Sequence, residues 1–240
     1  MLNIENLKEF IDRYQTNIKN VAREYCQHLF LSYLYQLPGS EKLLFKGGTA
    51  LRIVFQSPRF SEDLDFTGHN ITQDEVEELF TNTLANIEKT GIAVEINEGK
   101  PTTGGYLGIA VFDVYNIKTD VKIEVSLRRG KYPIGTRAVI QSDYLSPYSL
   151  VHLPMEDIIQ GKLDALMARH KPRDFYDYFF LLSGNYPLVK DKKYLNAVLD
   201  LLKKSEIDFR SEIKMLLPAS HAMHLRDFKK QLEHNIARYL

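Results

Sequence analysis

The stretch that decides the fold is Lys46–Phe66, KGGTALRIVFQSPRFSEDLDF. A Gly-Gly-Thr turn leads into a short apolar segment that predicts a helix, and a strand-like segment then carries Asp63 and Asp65. Side chains at positions i and i+2 of a strand point to the same face of the sheet. Two adjacent carboxylates repel each other unless a cation lies between them, so this pair predicts a site for a divalent metal that prefers oxygen ligands, Mg²⁺ or Mn²⁺.

The turn before these acids has the features of a phosphate-binding turn. Gly47 and Gly48 let the backbone approach a ligand closely, and the helix that follows offers free N–H groups to a phosphate. Thr49 is predicted as both helix N-cap and phosphate donor, and Ser61 as a second hydroxyl. An isolated Gly-Gly-Thr would favour a plain strand-to-helix turn. Its combination with the two acids favours chemistry on a nucleoside triphosphate.

A third acid, Glu124, lies on the polar face of a later predicted strand that could pair beside the first. Three carboxylates from two neighbouring strands can hold two divalent ions, which would polarise a triphosphate and activate an attacking hydroxyl. The alternative is that all three acids lie on a solvated sheet face, which is common for acids in strands.

The composition limits the class of protein. The chain has 240 residues, with 31 basic and 31 acidic side chains, so no global field attracts nucleic acid, and an RNA contact requires a local patch. A single cysteine, Cys26, excludes an internal disulfide, and the N-terminus lacks the pattern of a signal peptide, which together predict a cytoplasmic protein. No apolar run is long enough to predict a membrane helix.

The pattern of apolar residues predicts a mixed α/β sheet with flanking helices, followed by helices only. One or two amphipathic helices open the chain over 7–29, and Thr72 with Glu75 forms a predicted capping box for a helix that stops at Gly91. Strands are predicted over 43–46, 63–65, 92–97, 106–115 and 120–127, and helices over 49–55, 155–169, 173–183 and 190–204. We predict two domains, 1–150 and 151–240, connected through Tyr132–Pro147.

The helical half contains a second set of charged residues. Lys162 and Arg169 share one face of the first predicted helix, and Asp174 and Asp177 lie at the start of the next. A lysine and an arginine in a cleft would complement the charge of a triphosphate or of departing pyrophosphate. An inter-helix salt-bridge cluster explains the two aspartates equally well, whereas the functional interpretation is favoured for Lys162.

Taken together, these residues resemble the AbiEii family of nucleotidyltransferase toxins of type IV toxin–antitoxin and abortive-infection systems. The shared pattern is ordered and runs over about residues 45 to 180. It consists of Gly47-Gly48-Thr49, Ser61-Glu62-Asp63-Leu64-Asp65, Lys122-Ile123-Glu124, Lys162 to Arg169, and Arg173-Asp174-Phe175-Tyr176-Asp177. The third acid is a glutamate here where the family usually has aspartate, which moves the carboxylate by about one C–C bond.

The resemblance implies a polymerase-β-like nucleotidyltransferase fold with a C-terminal helical domain, and a cleft between the sheet and the helical half. It implies transfer of a nucleoside monophosphate from an NTP to an acceptor, with Mg²⁺ at Asp63, Asp65 and Glu124, and with Lys162 facing the pyrophosphate. In characterised relatives the acceptor is the 3′ end of tRNA, and a cognate antitoxin is encoded alongside. An acceptor that is a small molecule or a protein, and a catalytically silent nucleotide-binding module, remain as alternatives.

Overall fold

The computed structural model describes residues 4–128, 130, 133–204 and 206–240. Its contacts divide the chain into two compact units. The first consists of Met1–Gln56 and Phe60–Pro154, and the second of Ser57–Arg59 and Met155–Leu240. Among the helices described, none is both long and apolar enough to span a membrane.

The first unit is built on a seven-stranded mixed sheet, which confirms the predicted α/β class. Its strands are β1 (Leu43–Lys46), β2 (Asp63–His69), β3 (Ala93–Thr102), β4 (Gly105–Val114), β5 (Ile117–Arg128), β6 (Thr136–Ile140) and β7 (Tyr148–His152). They are ordered β3-β4-β5-β2-β1-β7-β6. The pairs β2–β5 and β1–β7 are parallel, and the other neighbours are antiparallel.

The α-helices among the described residues of this unit are α1 (Ile4–Arg13), α2 (Ile18–Leu34), α3 (Gly47–Ile53) and α4 (Gln73–Glu88), with a short 3₁₀ turn at Ser40–Lys42. The predicted capping box is confirmed, because Thr72 Oγ1 accepts the Glu75 N–H at 3.2 Å and Glu75 accepts the Thr72 N–H at 2.7 Å. Gly91 adopts a φ of +91° just beyond the end of α4. That left-handed conformation costs glycine little and stops the helix.

One prediction about the chain path is wrong. The segment Tyr132–Pro147 is not simply a connection, because it contributes the edge strand β6, which pairs with β7. Tyr132 itself lies outside the described residues. The predicted domain boundary at residue 150 lies inside β7.

The second unit is helical. It contains α5 (Met155–Arg169), α6 (Pro172–Ser183), α7 (Lys192–Lys204), α8 (Phe209–Ile213), α9 (Ala219–Ala222) and α10 (Phe228–Ala237), with short 3₁₀ turns at Pro187–Lys190, Lys214–Leu216 and Met223–Asp227. A cluster of aromatic rings forms part of its core. The ring centroid of Phe209 lies 5.7 Å from that of Phe175 and 4.9 Å from that of Phe228. The predicted helices 155–169 and 173–183 are confirmed, the second to within one residue.

Candidate active site

The three predicted acids share one face of two adjacent strands. The register pairs Asp63 with Lys122 and Asp65 with Glu124 across β2 and β5, and it pairs Lys46 of β1 with Asp65. Residues paired across neighbouring strands direct their side chains to the same face. Lys46, Asp65 and Glu124 therefore form a row across three strands, and each of them is partly exposed.

The glycine turn lies directly against this row. Gly47 has a φ of +82°, in the left-handed region that favours glycine. A Cβ atom at this position would lie 2.0 Å from Oδ2 of Asp65. Glycine is therefore required twice, by the backbone conformation and by the carboxylate that occupies the space of its missing side chain.

Thr49 connects the turn to the acidic strand, but not in the predicted way. Helix α3 begins at Gly47 and Lys46 is its N-cap residue, so the prediction of Thr49 as the N-cap is wrong. Gly47, with its positive φ, is the first residue of the helix, so the N-cap lies three residues earlier than predicted. The Thr49 hydroxyl is fully buried and donates a hydrogen bond of 2.5 Å to the backbone carbonyl of Asp63.

Ser61 lies just before the strand, on a segment anchored to α2. The side-chain amide of Gln27 donates hydrogen bonds of 3.0 Å to the carbonyls of both Ser61 and Glu62. Ser61 is itself partly exposed. The anchor fixes the approach of the chain to Asp63.

Two lysines set the electrostatics of the row. Lys122 forms an ion pair with Glu124, and this hydrogen bond raises the pKa of Lys122. Burial lowers the pKa of Lys46, while the carboxylates of Asp65 and Glu124 act in the opposite direction. Within the described part of the chain, no three His, Cys, Asp or Glu side chains converge as a metal site, which agrees with the pairing of Glu124 to a lysine.

Lys162, Arg169, Asp174 and Asp177, the charged residues predicted for the site in the helical unit, lie in two ion-pair clusters. Both oxygens of Asp177 accept hydrogen bonds from Arg59, Oδ1 from Nε at 2.8 Å and Oδ2 from Nη2 at 3.0 Å. Oδ2 also accepts one from the Lys162 ammonium at 2.7 Å. The second cluster is a bidentate pair in which Arg169 donates to Asp174 at 2.9 and 2.7 Å. The salt-bridge alternative, which expected Arg169 or Arg173 as the partner, is confirmed for Asp174, whereas Asp177 pairs with Arg59 and Lys162 instead.

The sequence matches the family described as Nucleotidyl transferase AbiEii toxin, Type IV TA system, over residues 29–239. The chain belongs to the AbiEii family. The match covers both units and leaves out α1 and most of α2. The resemblance drawn from the short motifs is thereby confirmed, and the chain is assigned to a nucleotidyltransferase family of toxins.

Solved structures support the fold of this AbiEii-family chain. JHP933 from Helicobacter pylori is 18% identical with a TM-score of 0.58, and the alignment covers 93% of this chain and 95% of that one. A protein from H. pylori proposed to be a nucleotidyltransferase is 20% identical with a TM-score of 0.51, covering 92% and 97%. No curated protein matches the chain. At such identities the likeness concerns the fold alone.

Sequence reasoning missed two residues of these clusters in the AbiEii-family chain. Lys46 is the cross-strand neighbour of Asp65, and its position directly before Gly47 at the end of an apolar strand is the signal that could have revealed it. Arg59 belongs to the short Ser57–Arg59 segment, and its partner Asp177 lies far away in sequence. No local pattern could have identified that pair.

Proposed function

We propose that this AbiEii-family protein transfers a nucleoside monophosphate from an NTP to the 3′ end of tRNA, releases pyrophosphate, and acts as the toxin of a type IV toxin–antitoxin system. The observation that carries the proposal is the contact of the Asp65 carboxylate with Gly47, beside Asp63 on the same strand face. A glycine turn in contact with two strand acids is an arrangement suited to holding phosphates and a cation together.

The donor set of the acids fits Mg²⁺ or Mn²⁺. Mg²⁺ is usually bound by one or two carboxylates together with substrate phosphates, not by a complete protein cage. Asp63 and Asp65 supply two such ligands, and Glu124 adds a third when it leaves Lys122. When bound, the metal would polarise the triphosphate and lower the pKa of the attacking hydroxyl.

The remaining residues hold the nucleotide in this proposal. Gly47, Gly48 and Thr49 offer backbone N–H groups to the phosphates, while the Thr49 hydroxyl keeps Asp63 in place. Ser61 offers its hydroxyl, and Lys162 supplies positive charge to the pyrophosphate. Arg169, whose side chain is 45% exposed, offers hydrogen-bond donors to the phosphates, and Asp174 orients its guanidinium.

Two partners follow from the same proposal. One is tRNA as the acceptor. Because tRNA and NTPs are both cytoplasmic, we propose that the reaction takes place in the cytoplasm. The other is a cognate antitoxin, as the type IV family assignment implies.

The test is incorporation of label from each of the four α-³²P NTPs into total tRNA by the purified protein with Mg²⁺, beside Asp65→Asn. The proposal expects label at the tRNA 3′ end with the wild type and none with the variant. Label on an added protein or a small molecule instead of tRNA would show that tRNA is not the acceptor, while the proposed nucleotide transfer would stand. NTP binding without any transfer would overturn the chemistry itself.

A further inference from the structure

The carboxylate of Asp177 is shared by two cations inside the helical unit. Only 1% of its side chain is exposed, and the side chains of Arg59 and Lys162 are 4% and 11% exposed. The Arg59 guanidinium donates two hydrogen bonds to this carboxylate and the Lys162 ammonium donates one, so three donors converge on it. Arg59 comes from the segment that leads into the acidic strand β2, and the other two residues come from α5 and α6.

The cluster carries a net positive charge. Burial by itself raises the pKa of Asp177, but the Arg59 guanidinium and the Lys162 ammonium outweigh it and hold that pKa at about 2. Asp177 is therefore ionised near neutral pH, and two cations face one anion. The neighbouring Asp174 is already neutralised by Arg169, so it leaves this excess unchanged.

A lysine paired with an aspartate alone would be electrically neutral from a distance and would attract a phosphate weakly. In this cluster Arg59 takes up the charge of Asp177 through two parallel hydrogen bonds, the strongest geometry available to a carboxylate. The positive charge of the Lys162 ammonium is thereby left without a negative charge that balances it. Of the three N–H donors of its ammonium, Asp177 accepts one, and the structure gives no other acceptor among the described residues.

We propose that Arg59 is a positioning residue for Lys162: it neutralises and clamps Asp177, so that the Lys162 ammonium is held in place with net positive charge and spare donors for the pyrophosphate part of the nucleotide. The inference rests on the proposed role of Lys162 in nucleotide transfer. It assigns a chemical task to Arg59, which no motif of the sequence singled out.

The experiment measures the affinity of the full-length protein for pyrophosphate with Mg²⁺ by titration calorimetry. The variants are Lys162→Met, Arg59→Met and Arg59→Lys, with Arg226→Met as a control that removes one exposed positive charge elsewhere in the same unit. Thermal melting of each variant establishes the folded fraction. Arg59→Met leaves a neutral buried pair instead of an unpaired charge, so it is the change that the fold tolerates best at this cluster.

Loss of Lys162 or of Arg59 is expected to weaken pyrophosphate binding by roughly tenfold or more, since charge-assisted hydrogen bonds are of that strength. Arg59→Lys keeps the positive charge but cannot donate the two parallel hydrogen bonds. We expect its affinity for pyrophosphate to lie between those of Arg59→Met and the wild type. Arg226→Met is expected to bind like the wild type.

The possible failures are distinguishable. If Lys162→Met weakens binding and a folded Arg59→Met does not, Arg59 has only a structural role and the inference is wrong while the proposed function stands. If Lys162→Met itself binds pyrophosphate like the wild type, the proposed role of Lys162 is wrong, and the inference falls with it. Should Arg59→Met fail to fold, Arg59→Lys decides alone, and wild-type affinity in that variant overturns the inference.

Discussion

On β2, Asp63 and Asp65 are partly exposed and face cations from neighbouring strands, whereas on α6 Asp177 is buried and clamped by two cations. The strand acids lie against a glycine turn, and the lysine beside Glu124 is held by an ion pair near the surface. Exposed ion pairs contribute little to stability, whereas breaking a buried one is costly. The comparison contrasts partly exposed strand acids beside a glycine turn with a buried acid that is bound by Arg59 and Lys162.

The largest effect is expected where the turn meets the strand acids. Gly47→Ala would bring a Cβ to within 2.0 Å of the Asp65 carboxylate, which would have to move. Displacement of a reacting group by about 1 Å can cost roughly 100-fold in rate, so we expect nucleotide transfer to fall by at least that factor. Initial rates of label transfer measure it.

Gly104→Ala is the matched control for this change. Gly104 has a φ of +84°, close to that of Gly47, but nothing lies within 4 Å of an added Cβ. Both substitutions carry about 1–2 kcal/mol of backbone strain. Equal loss of transfer in the two variants would show that strain, and not the contact with Asp65, is responsible.

The second largest effect is expected on the free energy of unfolding, at the buried cluster of Asp177, Arg59 and Lys162. Asp177→Asn leaves Arg59 and Lys162 without their common counter-charge, and removal of one partner of a buried ion pair costs about 3–5 kcal/mol in the free energy of unfolding. Asp120→Asn breaks a pair with Arg23 whose aspartate is 65% exposed, and should cost less than about 1 kcal/mol. Urea denaturation of both variants checks the difference, and similar losses would contradict the contrast.

The same cluster predicts that the stability of the fold depends on pH in the acidic range. The folded-state pKa of Asp177, about 2, lies below its ordinary value near 3.8. The unfolded chain therefore binds the proton first, and the contribution of Asp177 is complete above about pH 4 and is lost as the pH falls towards 2. Melting temperatures from pH 5 to pH 2 should fall more steeply in the wild type than in Asp177→Asn. Parallel curves would contradict the assignment.

The smallest effect concerns Thr49. Thr49→Val keeps the shape of the side chain but removes the hydroxyl that bonds the Asp63 carbonyl. We expect a loss of about 1 kcal/mol in the free energy of unfolding, the usual value for one hydrogen bond. Thr49→Ser retains the hydroxyl and serves as the control. Equal stability of the serine and valine variants would show that the bond contributes nothing.

Local patterns in the sequence predicted much of this architecture because the responsible interactions are local. The capping box of Thr72 and Glu75 spans four residues, and the alternation around Glu124 places it on the polar face of β5. The helix start at Gly47 was missed because a glycine with positive φ can precede or open a helix, and the pattern of apolar residues does not distinguish the two.

Long-range contacts account for the parts that could not be predicted. The edge strand β6 is defined by its pairing with β7, and its segment contains the Pro, Gly and Ser residues that are typical of a connection. The pair of Arg59 and Asp177 joins residues 118 positions apart. The shared face of Asp63 and Asp65 could be predicted because their spacing alone determines it, whereas the cations that face them come from other strands.

The central claim, that the partly exposed strand acids bind the metal, is tested most directly by Mn²⁺ binding measured by electron paramagnetic resonance in the presence of a nonhydrolysable NTP analogue. Wild type, Asp65→Asn and Glu62→Gln would be compared. Glu62 is the adjacent control carboxylate, and it pairs with Arg23 at 3.1 Å. We predict that Asp65→Asn weakens Mn²⁺ binding at least about tenfold, because it removes a ligand charge, while Glu62→Gln leaves binding unchanged. Wild-type Mn²⁺ affinity in Asp65→Asn would contradict the account.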